Sequence, residues 1–282
     1  TDINTLPTGL SFGEDIEDIA TADTSVASSY LSSSQINQSG LGNLQLVVKD
    51  HQYKSSLSGQ TAAYSLRQGQ IVFGDGLDLV INGNLRLDAS EFLMPQENAA
   101  ASVTAHTLLV GSSEVNFNRI TPARYQDILE SDDTAVFDLR SPTHTTSLSL
   151  HADSIGLYGD FVVNDIAQLD IVSANDISLI GLKRNRTASI SATADEDDVY
   201  FTSSDIIGSL DMQDVDLNLF ADVIYPETLT QFTISNSGAS SSVDIQQSSS
   251  PTSATTPYSL AGDVTISSRD IHLDTLIHVP EG

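Results

Sequence analysis

Leu148-Ser-Leu-His-Ala152, Leu169-Asp-Ile-Val-Ser173, Ile190-Ser-Ala192 and Leu210-Asp-Met212 open four successive segments on one alternating figure. Each runs on into a second alternation: Ile155-Gly-Leu157, Ile177-Ser-Leu179, Val199-Tyr-Phe201 and Val215-Asp-Leu217-Asn-Leu219. Alternation of apolar and polar residues marks a strand with one buried face. The leading residues 148, 169, 190 and 210 stand 21, 21 and 20 positions apart. A two-strand unit repeated at a fixed period marks a solenoid, because one coil cannot bury its apolar face alone and stacks on its neighbours. The chain therefore reads as all-β, a right-handed parallel β-helix with about 20–22 residues per coil and loop insertions.

The same figure extends to both sides. It begins at Leu44-Gln-Leu46, continues through Leu77-Asp-Leu79-Val-Ile81 and Leu85-Arg-Leu87, and resumes late as Val264-Thr-Ile266 and Ile271-His-Leu273. Asn82-Gly83-Asn84 reads as a tight corner between two strands. Residues 1–40 are acidic and broken by glycine, and read as a segment capping the exposed end of the stack. Residues 41–282 read as a single body with excursions at 121–133 and 236–258. The first carries Pro122 at a helix-start position, and the second is a Ser, Thr, Gln and Pro run that cannot build a core. At about 4.8 Å per coil, roughly 10–12 coils predict a rod on the order of 50 Å long.

Composition narrows the function classes. The chain holds 38 Asp and Glu against 11 Lys and Arg, for a formal net charge of −27. Nucleic acid and anionic membrane surfaces both require clustered cations, so neither is an expected partner. A solvated, self-repelling surface is the first meaning of such charge. There is no cysteine, which removes disulfides and thiolate metal sites. No run of 18 apolar residues occurs, so no helical membrane insertion is expected. The chain starts at Thr1 without a signal peptide and reads as a fragment of a longer protein.

One stretch goes beyond pattern. Ala221-Asp-Val-Ile-Tyr225-Pro226-Glu-Thr228-Leu229-Thr-Gln-Phe232-Thr-Ile234 resembles the filamentous-haemagglutinin family of large bacterial exoproteins, in particular a domain from the C-terminal part of the shaft. Ser39-Gly40-Leu41 leading into Leu44-Gln-Leu46, the stretch 71–88, and Gly262-Asp-Val264-Thr-Ile266 are similar to the same domain. The resemblance spans roughly residues 28–273, with high specificity only at Tyr225 to Ile234. The resemblance implies a β-helical shaft exported by two-partner secretion through an outer-membrane transporter. It also implies a secreted or cell-surface location, and work in adhesion or contact-dependent inhibition between bacteria. A chain free of cysteine suits threading through a narrow pore.

Residues able to carry chemistry are few. Asp195-Glu196-Asp197-Asp198 is the densest acidic run and the one place that offers Ca²⁺ a set of oxygen ligands. It lacks the Asp-x-Asp-x-Asp-Gly order of a calcium loop, and a solvated turn is the simpler reading. Lys183-Arg184-Asn185-Arg186 holds three of the eleven cations. It reads as an exposed turn first, and otherwise as a contact for an acidic glycan or a partner for residues 195–198. Asp165, Asp176, Asp205, Asp214 and Asp270 each precede an Ile or Val that opens a strand, and read as corner residues accepting backbone N–H bonds. The six histidines are scattered without ligand spacing.

No catalytic residue or cofactor is assigned. The expected function is structural and adhesive, with a cell-surface receptor or glycan as partner. The rival is a polysaccharide lyase or hydrolase using paired carboxylates on one face of the helix.

Overall fold

The computed structural model describes residues 9–12, 28–55, 63–113, 139–190, 199–248, 259 and 261–279. The chain is an all-β parallel β-helix. Among the described residues two sheets run along the stack, one of ten strands and one of nine, and a short antiparallel ribbon stands apart. In the ten-stranded sheet eight strands follow one another: Leu44–Val47, Leu77–Asp88, Ala100–Gly111, Ser147–Tyr158, Gln168–Ile180, Asp216–Ala221, Ser242–Gln247 and Asp270–Asp274. Seven steps at about 4.8 Å give a stack of roughly 35 Å, shorter than the expected rod.

Register explains the difference. One inward column runs Leu77, Ala101, Leu148, Leu169, Leu217, Val243, Ile271. The intervals are 24, 47, 21, 48, 26 and 28 residues. The step from Leu148 to Leu169 meets the expected period, and three others are slightly longer. The two double-length steps carry, respectively, the segment 114–138 and a hairpin.

That hairpin corrects the repeat as first read. Ile190 ends the strand Leu182–Ile190 and lies opposite Val199, in antiparallel register with Val199–Gln213. Leu210 lies in the nine-stranded sheet between Phe161 and Ile234. A spacing of 20 or 21 residues therefore recurred on strands of different sheets. Alternation reports a buried face and is silent about which sheet supplies its neighbours.

The long strands bend without breaking. Leu77–Asp88 is one strand with a register shift between Ile81 and Asn84, so Asn82-Gly83-Asn84 is a bulge where a corner was expected. Gly83 is required there by close approach: a Cβ would sit 2.1 Å from the carbonyl oxygen of Gly42. Between Ser147–Tyr158 and Gln168–Ile180 the register shifts at Ala152/Ser154, with the extra residue between Ser173 and Asp176 of the second strand. Along Ser147–Tyr158 the inward set runs Leu148, Leu150 and Ala152 and then Ile155 and Leu157, all in one core. Phe73, Phe92 and Phe161 from the second sheet close that core, stacked between the first two rings at 6.3 Å and edge-on between the last two at 5.6 Å.

Of the segment 236–258, residues 236–237 and 242–247 belong to the sheets. Thr230–Ser237 and Ser242–Gln247 are strands, with Val243 and Ile245 fully buried. Asn236 is buried as well. Its amide donates to the carbonyls of Val215 (2.6 Å) and Ser242 (3.0 Å) and accepts from the Val215 N–H. Polar composition misled the reading because a coil needs only two inward residues per short strand. Residues 249–258 of that excursion, and the whole excursion 121–133, lie outside the described residues.

At the N-terminal end, Gly9–Phe12 and Ser28–Leu31 extend the nine-stranded sheet beyond Gln70–Phe73. The helix Ser33–Ser39 ends at Gly40, whose φ of 67° is left-handed. Asn37 imitates a missing strand. Its Nδ2 donates to the carbonyl of Asp78 (2.7 Å), and its Oδ1 accepts from the Val80 N–H (2.9 Å). Asn43 Oδ1 accepts in the same manner from the Asn84 N–H. Residues 1–40 thus include a sheet extension and a cap.

Candidate functional site

Outward positions of stacked strands line up as strictly as inward ones, because a parallel register carries both faces. One outward column runs Gln168, Asp216, Ser242, Asp270, and its neighbour Asp170, Asn218, Asp244, His272. Over the last four coils these residues, Asp170 excepted, line an open hollow of about 450 Å³. Hydrogen bonds link them both along and across the columns. Asn218 Nδ2 donates to Asp170 (2.7 Å) and Ser242 Oγ to Asp216 (2.8 Å). Gln246 Nε2 donates to Asp244 (2.7 Å), and His272 Nδ1 stands 3.0 Å from the other Asp244 oxygen. The His272 contact, helped by Gln246, holds the Asp244 carboxyl below the ordinary carboxylate range. The surface is a rigid grid of alternating acceptors and amide or hydroxyl donors, suited to hydrogen-bonding a polyhydroxylated chain.

A second polar cluster is buried and architectural. Glu91 Oε1 accepts from Arg140 Nη2 (2.7 Å) and Asn164 Nδ2 (2.8 Å), while Oε2 accepts from Gln70 Nε2 (2.6 Å). Three residues earlier, Asp88 accepts the Ser113 N–H (2.7 Å) and an Arg86 guanidinium N–H (2.7 Å). Arg86 also lies over the Tyr158 ring at 5.2 Å. The corner 88–91 therefore grips the chain on both sides of segment 114–138, through Ser113 and Arg140.

Several residues singled out in the sequence are placed differently by the fold. Lys183 is exposed at the base of the hairpin. The register sets Arg184, Asn185 and Arg186 opposite Asp205, Ser204 and Ser203. The cross-strand partners of the cationic run are thus residues 203–206. Asp195, Glu196, Asp197 and Asp198 lie outside the described residues. Among the described residues no group of three His, Asp or Glu side chains is arranged to hold a metal ion.

The stretch that carried the family resemblance forms a coil corner. Tyr225 is half-buried, and burial, reinforced by Asp176, pushes its phenol above the ordinary value. Pro226 is buried and its carbonyl accepts from Ser259 Oγ (2.5 Å). Thr228 and Leu229 make the exposed turn, Leu229 at a φ of 61° and 57% exposed. Phe232 enters the core. Asp214 acts as a corner residue in the expected manner. It accepts the Ser240 N–H (2.8 Å) and the Ser141 hydroxyl (2.7 Å), and these contacts lower its pKa, the first more than the second.

Neither the outward grid nor the Asp88–Glu91 corner was singled out in the sequence. Their signal exists only after the strands are aligned. Among the described residues no helix is long and apolar enough to cross a membrane. Compared with known proteins, the chain matches no protein family, no curated protein and no solved structure at a significant level.

Proposed function

We propose that this chain is a structural and adhesive segment of a large bacterial exoprotein, displayed at the cell surface after export through a two-partner outer-membrane transporter. Its work is to extend and to present: the stacked coils span distance, and the outward grid of Gln168, Asp216, Asp244, Asp270 and their neighbours contacts surface glycans. The observation that carries the reading is that hydrogen-bonded grid on a rigid parallel stack. The resemblance at Tyr225 to Phe232 and the cysteine-free composition support the export route.

The test is binding of fluorescently labelled chain to bacterial and epithelial cells, with and without Ca²⁺ and with soluble polysaccharides as competitors. Saturable binding that a polysaccharide displaces, and that Asp216→Lys with Asp270→Lys removes, is the expected result. Binding unaffected by those substitutions moves the contact elsewhere on the chain. Absence of binding to every cell type leaves a shaft without an adhesive role. Shortening of the competing polymer during the assay would instead make the chain a polysaccharide-cleaving enzyme.

A further inference from the structure

Asn82-Gly83 is the one Asn-Gly pair in the chain. The fold leaves it outside both ladders that flank its strand. Toward the following coil the register runs through Ile81 and Ala105 and resumes at Asn84 and Thr107, so neither Asn82 nor Gly83 has a ladder partner there. Toward the preceding coil, Leu44–Val47 takes up pairing only at Leu85. Asn82 is exposed, and its amide makes no hydrogen bond to a described residue. Asn37, Asn43, Asn98, Asn164, Asn218 and Asn236, by contrast, all commit side-chain amide atoms to hydrogen bonds.

An asparagine followed by glycine can react with its own backbone. The nitrogen of the glycine attacks the side-chain carbonyl carbon, a C–N bond forms, and the amide nitrogen leaves as ammonia to give a five-membered succinimide. Water then opens the ring at either carbonyl and yields aspartate or isoaspartate, so the sum is amide plus water to carboxyl plus ammonia. Ring closure needs the backbone to turn its nitrogen onto the side chain. Ladder bonds on both sides forbid that turn to an ordinary strand residue, and a Cβ on the following residue crowds it; Gly83 brings no Cβ. We propose that Asn82-Gly83 is a self-modification site that deamidates in the folded chain, and that its isoaspartyl product loosens the adjoining N-terminal coil. Isoaspartate routes the main chain through Cβ and adds one backbone atom. The bulge has no room for it, because register is fixed at Ile81 and at Asn84 and a Cβ on Gly83 would already lie 2.1 Å from the Gly42 carbonyl oxygen. The added atom displaces Gly42 and Asn43, and with them the 2.9 Å bond from the Asn84 N–H to Asn43 Oδ1. The aspartyl product keeps the chain length and spares that contact. The proposal does not depend on the adhesive reading above.

The test is incubation of the full chain at mildly alkaline pH, in native buffer and in concentrated urea, with its peptides followed by mass spectrometry. The expected result is a gain of one mass unit on the peptide holding residue 82, appearing in the native chain on the same timescale as in urea. The buried Asn236 is expected to show no gain in the native chain, and Asn82→Gln to abolish the gain at 82. Conversion at 82 in urea but not in the native chain overturns the site, as does no conversion in either. The native isoaspartyl fraction is then separated by chromatography and unfolded in urea beside an Asn82→Asp chain, which carries the same charge without the extra backbone atom. A lower midpoint for the isoaspartyl fraction is expected, and equal midpoints overturn the loosening.

Discussion

Asp211 shows how a single outward residue registers its surroundings. It sits on the nine-stranded sheet where burial raises its pKa above the ordinary carboxylate value, against a smaller opposing contribution from the Ser209 hydroxyl. A raised folded pKa means that the native state holds the proton more tightly than the unfolded chain. The group therefore favours folding below the unfolded pKa, and that contribution is lost as pH rises through the folded one. Asp211→Asn is accordingly expected to raise stability at pH 7, with the gain vanishing near pH 3, as read by urea denaturation at both values. Asp214 and Asp244 titrate in the opposite sense. Both are held ionised by hydrogen bonds, so their contribution is present above the ordinary carboxylate range and fades as pH falls through the lowered values. Gly159 is a case of backbone geometry instead. Its φ is 63°, and a Cβ would lie 1.9 Å from the Ser112 carbonyl oxygen. Gly159→Ala should cost about 2–4 kcal/mol in the same assay, since both the conformation and the space are unavailable to alanine. A loss below a few tenths would mean that the corner yields easily.

Among the elements, Ser242–Gln247 is the most instructive. Four of its six residues are polar, yet it pairs on both sides, with Asp216–Ala221 and Asp270–Asp274, and sends Val243 and Ile245 into the core. Ile245→Ala should therefore cost about 2–5 kcal/mol, the range for deleting a fully buried aliphatic side chain. A change near zero would return this strand to the status of a loop. The bulged long strands make a related point. Ile81 to Asn84 looked like a turn because Asn-Gly favours turns in isolation, but here the glycine is selected by the carbonyl of Gly42 in the next coil. The corner Asp88 to Glu91 likewise acquires its role from Ser113 and Arg140, distant in sequence and adjacent only once the coils are stacked.

For the whole molecule, charge and topology set the behaviour. A formal charge of −27 on a body of this size opposes compaction through self-repulsion. Raising NaCl from about 0.01 M to about 1 M contracts the Debye length from roughly 30 Å to 3 Å. Thermal unfolding followed by circular dichroism should therefore shift upward by several degrees. An unchanged midpoint would mean that local carboxylate contacts, such as those of Asp214 and Asp244, already offset the repulsion. Stability is shared between neighbouring coils, as in any solenoid, so destabilising one coil is felt most by the two beside it.

The sequence by itself determined the local and the periodic. Alternation showed which residues face inward, and repetition of that alternation required a stack of coils in parallel register. Composition excluded disulfides. These follow from side-chain polarity and the two-residue period of a strand, which need no knowledge of neighbours. Tertiary structure alone decided which strand lies on which. It assigned Leu210 to a different sheet from Leu169, moved Ile190 into a hairpin, and turned a polar stretch into a core strand. It also brought Asp216, Asp244 and Asp270 into one grid. The physical reason is that every coil shows its neighbours the same alternating face. Hydrophobic patterning therefore specifies burial, and only register, bulges and close backbone approach select the partner.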